Sequence, residues 1–188
     1  MPHASHSQHS SATRRVGLRL AAMVFAAGLA GAGPAFADGN PDLPGIEVSP
    51  ALIAEVADWI QARSNLPLPE RLPEVRRMSR EDMARVFAGE TPGASSGRQI
   101  EALYDSRNTT ILLAPDWNPE RARDISVLLH EMVHHMQFAA DAPADCPAAR
   151  ERTAYDLQTA WLEEHDLDLF DEFELNGLTL MILTTCGV

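Results

Sequence analysis

The run His130-Glu131-Met132-Val133-His134 places two imidazoles four residues apart, with a carboxylate directly after the first. On a helix, positions 130 and 134 share a face about one turn apart, so both rings can reach one ion. Zinc suits such a pair, because it accepts nitrogen and carboxylate ligands in tetrahedral geometry and leaves a position for water. Glu131 falls roughly 100° around from His130, near enough to touch a metal-bound water without ligating the metal. A water acidified by zinc, with a carboxylate to take its proton, is the machinery of metal-assisted hydrolysis. The pattern arises by accident in fewer than about one chain in a hundred of this length. His135, five positions after His130, points off that face and is expected at the surface or behind the ligands.

A catalytic zinc needs a third protein ligand. Downstream candidates are Asp141, Asp145, Glu151, Asp156, Glu163, Glu164 and His165. Glu151 is favoured by its surroundings: it falls early in a helix opened by Pro147, and Ala154, Tyr155, Gln158 and Trp161 continue along its side. A carboxylate on a largely inward-facing strip needs a partner, and a metal is a good one. The competing role for Glu151 is to favour the helix N-terminus electrostatically.

The elements that must position these groups are legible from caps and periodicity. Asn118-Pro119 reads as N-cap and first turn of a helix running to about Phe138, with Ile125, Leu128, Leu129, Met132 and Met136 as its core stripe. Pro147 opens the next helix, to about Glu164, and an apolar helix spans roughly Asp171 to Leu183. Upstream, Ser49-Pro50 opens Ala51 to Ala62, with Leu52, Val56 and Ile60 at helical spacing. Pro67, Pro69 and Pro73 then break regular structure, and Ser79 caps a short helix to about Ala88. A Gly/Ser/Pro loop covers Gly89 to Gly97. Gln99 to Tyr104 and Thr109 to Leu113, separated by Asp105-Ser106-Arg107-Asn108, read as a β-hairpin. The fold class is helix-dominated α+β.

The first 37 residues differ from the rest. Arg14, Arg15 and Arg19 precede an apolar run from Leu20 to about Ala32, which ends in Ala35-Phe36-Ala37. A basic region, a short apolar run and an Ala-x-Ala site describe a signal peptide over 1–37, by Sec or twin-arginine export, with no stable membrane anchor after cleavage. The protein is then periplasmic or extracellular. The chain carries 15 basic and 27 acidic residues, and the leader takes away three arginines and no acid. So acidic a protein repels nucleic-acid phosphates, which excludes that class of partner. Export also places Cys146 and Cys186, the two cysteines of the chain, in an oxidising compartment where a bridge between them is expected.

The spacing His130-Glu131-x-x-His134, followed by Glu151-x-x-Ala154-Tyr155 on a second helix, resembles the gluzincin metallopeptidases. The string Ser126 to Gln137, with Cys146 and Ala154-Tyr155-x-x-Gln158-x-x-Trp161, also resembles a family of small exported bacterial proteins of uncharacterised function. The gluzincin resemblance implies a zincin-like core over 99–188: an active-site helix, a glutamate helix and a short antiparallel ribbon whose edge strand lines the cleft. Residues 38–98 form an N-terminal segment of the same domain, as lid, inhibitory arm or structural wrap. The implied chemistry is one zinc per chain on His130, His134 and Glu151, with Glu131 as general base acting on a peptide or protein substrate. The alternatives are a metal-binding or interaction protein without turnover and a non-peptide hydrolase. Tyr155 stands where many gluzincins carry an aspartate; it either donates its hydroxyl to a developing oxyanion or packs beside the ligands.

Overall fold

The computed structural model describes residues 48–88 and 100–187. The leader, most of the arm from Asp38, the Gly89–Gly97 loop and Gln99 lie outside the described residues. The order of elements is α1 (Pro50–Arg63), β1 (Glu74–Arg77), α2 (Arg80–Ala88), β2 (Ala102–Asp105), β3 (Thr110–Leu113), α3 (Ala122–Ala139), α4 (Pro147–Glu163), α5 (Leu169–Glu172) and α6 (Gly177–Thr184). This is the expected helix-dominated α+β arrangement. No helix among the described residues is long and apolar enough to cross a membrane.

Local chemistry starts and stops the elements. Ser49 accepts the Leu52 N–H and Pro50 occupies the first turn of α1, which buries Ile53, Val56, Ala57 and Ile60; Leu52 sits at the flank of that face. Ser79 caps α2 by accepting the Asp82 N–H while donating to its carboxylate. The hairpin forms with Tyr104 opposite Ile111, and the Asp105 carboxylate ties the turn by accepting from the Arg107 N–H and the Asn108 amide.

Three expectations need correction. The proline-rich stretch does yield a strand: β1 follows Pro73 and pairs in parallel with β3, giving a three-stranded sheet ordered β1-β3-β2. Proline is compatible with a position just before an edge strand, where no ladder donor is lost. The central helix begins at Ala122 rather than at Pro119. The Asn118 side chain instead accepts the Glu120 N–H in a local turn, and the buried Asp124 carboxylate takes the Asn118 N–H at 2.7 Å and the Arg121 guanidinium at 2.5 Å. The last apolar helix is split into α5 and α6. Asp168 caps the first, Glu174 turns into the left-handed region at φ 50°, and Asn176 caps the second through the Thr179 N–H.

The middle of the molecule is α3. Every residue from Ser126 to Gln137 is buried, because α1, α4 and strands β2 and β3 all pack around it. Tryptophans pin the ends of the helices together: Trp161 donates to the Ala122 carbonyl at 3.0 Å, Trp117 donates to the Asp124 carbonyl, and Trp59 meets Trp161 edge-on. Helix α1 buries Ile53, Val56, Ala57 and Ile60 in this core, and Val75 of β1 packs against it. The helix ends with the Ala142 N–H on the Gln137 carbonyl and Asp141 at φ 46°. Asp141 therefore fills a left-handed position more often given to glycine.

Cys146, immediately before α4, is bonded to Cys186, two residues past the end of α6, across a sequence separation of 40. Loop-closure entropy for a ring of that size amounts to about 4 kcal/mol. Replacing both cysteines by serine should lower unfolding free energy by about 2–4 kcal/mol in a urea titration and make α6 the first site of proteolysis. An unchanged midpoint would contradict this role.

Candidate metal centre

Two neighbouring helices bring the site together. His130 and His134 lie one turn apart on α3, with ring centroids 5.0 Å apart. The carboxylate of Glu151, from the second turn of α4, sits across from both, with Oε2 3.4 Å from His130 Nε2 and Oε1 3.6 Å from His134 Nε2. The three side chains offer ligand atoms that all lie within 4.8 Å of one another. Exposure is 0% for His130, 2% for His134 and 1% for Glu151, so the group is enclosed. The other candidates do not join it. Asp141, Asp145, Asp156, Glu163, Glu164 and His165 are all exposed, and Glu164 is engaged by Trp59 and Arg63.

Two glutamines set the tautomers of His130 and His134. Gln158 turns its amide oxygen to His130 Nδ1 at 2.9 Å, and its nitrogen donates to Ser126 Oγ, which in turn donates to the Arg123 carbonyl. Gln137 turns its oxygen to His134 Nδ1 at 3.0 Å, and its nitrogen donates to the Arg150 carbonyl at 3.0 Å. Because a carbonyl can only accept, the nitrogen end of Gln137 is fixed, and so is its oxygen end. Each imidazole must then carry its proton on Nδ1 and turn the Nε2 lone pair toward Glu151. Neither glutamine was assigned this role from the sequence. The available signal was spacing: Gln137 lies three residues after His134, and Gln158 lies two turns after Glu151.

His135 is interior, which removes the surface alternative of the two positions expected for it. Tyr104 donates its hydroxyl to His135 Nδ1 at 3.1 Å, and His135 Nε2 donates to the Arg71 carbonyl at 2.9 Å. It thus carries its proton on the opposite nitrogen from its two neighbours and ties the segment before β1 to α3. Tyr155 is buried with its ring edge-on to His130, centroids 4.7 Å apart, and its hydroxyl has no hydrogen-bond partner among the described residues.

Burial dominates the electrostatics of this group, which could hold a metal ion. Burial lowers the His130 imidazole to about 4 and holds His134 well below its ordinary range, where the neighbouring His130 adds to the effect. Burial raises the Glu151 carboxyl to about 10, with the nearby Glu131 adding to it, and raises Glu131 to about 8 against a lowering contact from the Tyr104 backbone N–H. Without a cation, Glu151 and the histidines meet as neutral groups. Neither Glu151 oxygen has a hydrogen-bond partner among the described residues, an expensive arrangement for a buried carboxyl group. A divalent cation among two imidazole nitrogens and this carboxylate removes that cost, and the donor set is one that zinc accepts. The residues present fit the ion.

Purified protein should bind about one zinc per chain, and Glu151→Ala should abolish binding in an isothermal titration. Gln158→Leu, which leaves all three ligands in place, should weaken it about 10–100-fold. Retention of full affinity in Glu151→Ala would remove that residue from the site.

Stability should also depend on pH with a definite sign. His130 and His134 have folded values below the ordinary 6.5, so their contribution is present above that pH and lost as pH falls through the folded values. Glu131 and Glu151 have raised folded values, so their contribution is present below the ordinary 4.5 and lost as pH rises toward about 8 and about 10. Metal-free protein should therefore melt at lower temperature at pH 8 than at pH 6.5. Over the same interval the zinc-induced rise in Tm should grow, because the ion competes with the Glu151 proton. A metal-free Tm that climbs from pH 6.5 to 8 would contradict the burial of both carboxyls.

Comparison with curated proteins and with solved structures found no match. Residues 46–188 match the domain of unknown function DUF6647, and the chain belongs to that family.

Proposed function

We propose that this protein is an exported zinc-dependent hydrolase of the gluzincin metallopeptidase type, acting on a peptide or protein substrate. The observation that carries the reading is the placement of Glu151 3.4 and 3.6 Å from the two Nε2 atoms, with Glu131 beside them. Further support for a zincin-like core comes from β2, an edge strand packed on α3 whose Tyr104 N–H meets Glu131. The disulfide supports export, since such bridges persist in oxidising compartments.

His130, His134 and Glu151 would hold the ion. The chemistry supplied by zinc on such a triad is Lewis acidity, which polarises a scissile carbonyl and makes water a nucleophile near neutral pH. Glu131 takes the proton of the attacking water and passes it to the leaving amine. Its burial supports that role: a carboxylate lifted toward neutrality is a stronger base than an exposed one, and a cation beside it keeps it ionised. Tyr155 stays protonated, because burial and both glutamates oppose ionisation of its phenol. Its unengaged hydroxyl is therefore a donor available to a developing oxyanion beside His130.

Zinc-loaded protein should cleave members of a broad peptide library. Glu131→Gln should keep the metal and reduce cleavage by at least about a thousandfold, and Tyr155→Phe should lower kcat on the order of a hundredfold without changing zinc content. Full cleavage by the Glu131→Gln variant would sink the mechanism. The enclosure of all three ligands favours a second reading, a metal-binding protein without turnover. Silence across the library with zinc bound would select it.

A further inference from the structure

Arg150 has a charge that the structure leaves unanswered. Six other arginines, Arg63, Arg76, Arg80, Arg85, Arg121 and Arg123, each pair with a carboxylate. Arg150 has no ion pair among the described residues, and its Nη1 is buried without a hydrogen-bond partner there. The chain has 27 acidic side chains, yet none of those among the described residues is paired with Arg150. A buried guanidinium nitrogen that donates to nothing costs free energy unless a ligand receives it.

Its position is fixed against the metal centre from two directions. In sequence it immediately precedes Glu151, and its carbonyl receives the Gln137 amide that holds His134. Its guanidinium lies over the Phe138 ring, 4.7 Å from the centroid. Phe138 is one turn beyond His134 and 39% exposed, so this is where the ligand-bearing helix emerges from the core into solvent. The Arg150 side chain thus lies at the end of the ligand-bearing helix, against the partly exposed Phe138 ring. A planar guanidinium so held is suited to a carboxylate, which it can meet through two parallel hydrogen bonds.

We propose that Arg150 is a specificity residue that receives a carboxylate of the substrate beside the metal centre, either the terminal α-carboxylate of a peptide or an acidic side chain. The proposal rests on the hydrolase reading for calling its ligand a substrate. Its test is a binding measurement, so the two can fail separately.

The protein for the test is the full mature chain carrying Glu131→Gln, loaded with zinc. Isothermal titration would compare the tripeptide Ala-Phe-Ala as free acid, the same peptide as C-terminal amide, and Ala-Glu-Ala amide. The expected result is that a carboxylate-bearing peptide binds at least about tenfold more tightly than Ala-Phe-Ala amide. Preference for the free acid identifies an α-carboxylate, and preference for Ala-Glu-Ala amide an acidic side chain. Adding Arg150→Gln should erase the preference while zinc content stays the same, and Arg150→Lys should restore part of it. Equal binding of all three peptides, including no binding of any, overturns the proposal without needing an Arg150 variant. Survival of the preference in Arg150→Gln overturns it as well, since the carboxylate would then be held by other groups. If the preference depends on Arg150 but the unsubstituted protein cleaves no peptide, the recognition role stands and the hydrolase reading falls.

Discussion

Burying the middle of α3 on every side forces each polar group it carries to find a partner inside the protein. From Ser126 to Gln137 the helix carries a serine, three histidines, a glutamate and a glutamine, a heavy polar load for an interior element. Water cannot satisfy them there, and an unmade hydrogen bond in the interior costs more than a made one contributes. The structure answers with Gln158 on His130, Gln137 on His134, and Tyr104 with Arg71 on His135. One carboxylate, Glu151, is brought to the imidazoles of His130 and His134 without a hydrogen-bond donor among the described residues. The group without a donor among the described residues lies beside both imidazole Nε2 atoms, in a cluster that could hold a metal ion.

Most of the remaining architecture holds α4 at the correct distance from α3. The Gln137–Arg150 and Gln158–Ser126 contacts cross the helix interface on either side of the ligand layer. Trp161 fixes one end of α4 to the start of α3, and the Cys146–Cys186 bond secures the other end to the tail of the chain. The sheet contributes from the opposite side, where β2 presents Tyr104 both to His135 through its hydroxyl and to Glu131 through its backbone. A shift of α4 by a fraction of an ångström would be felt at both histidines through their glutamines. Rigidity of that kind is what a metal site with defined geometry requires.

The parts legible in the sequence were those fixed by local chemistry. Ser49, Ser79 and Pro147 marked helix starts because a cap or a first-turn proline acts within a few residues. His130 and His134 announced a shared face through helical spacing alone. Glu151 could be favoured over six other candidates only by the apolar residues along its strip, and it proved to be the one interior carboxylate or imidazole among them. What was not legible depended on contacts distant in the chain. Strand β1 exists because β3 offers it a ladder, and four residues after a proline carry no periodicity that would reveal it. The start of α3 moved because the buried Asp124 captures the Asn118 N–H from within the helix. The surface alternative for His135 could not be removed from the sequence, since position on one helix cannot show that a segment 64 residues earlier closes over it.

The central claim is that one metal ion is held by two imidazoles of α3 and one carboxylate of α4. X-ray absorption at the zinc edge of the loaded protein measures this directly. The account predicts a shell of nitrogen and oxygen at about 2.0–2.1 Å with the multiple-scattering pattern of two imidazoles. It also predicts that Glu151→Ala removes the bound zinc while both histidines remain. A spectrum with sulfur in the shell, with fewer than two imidazoles, or unchanged by Glu151→Ala would contradict it.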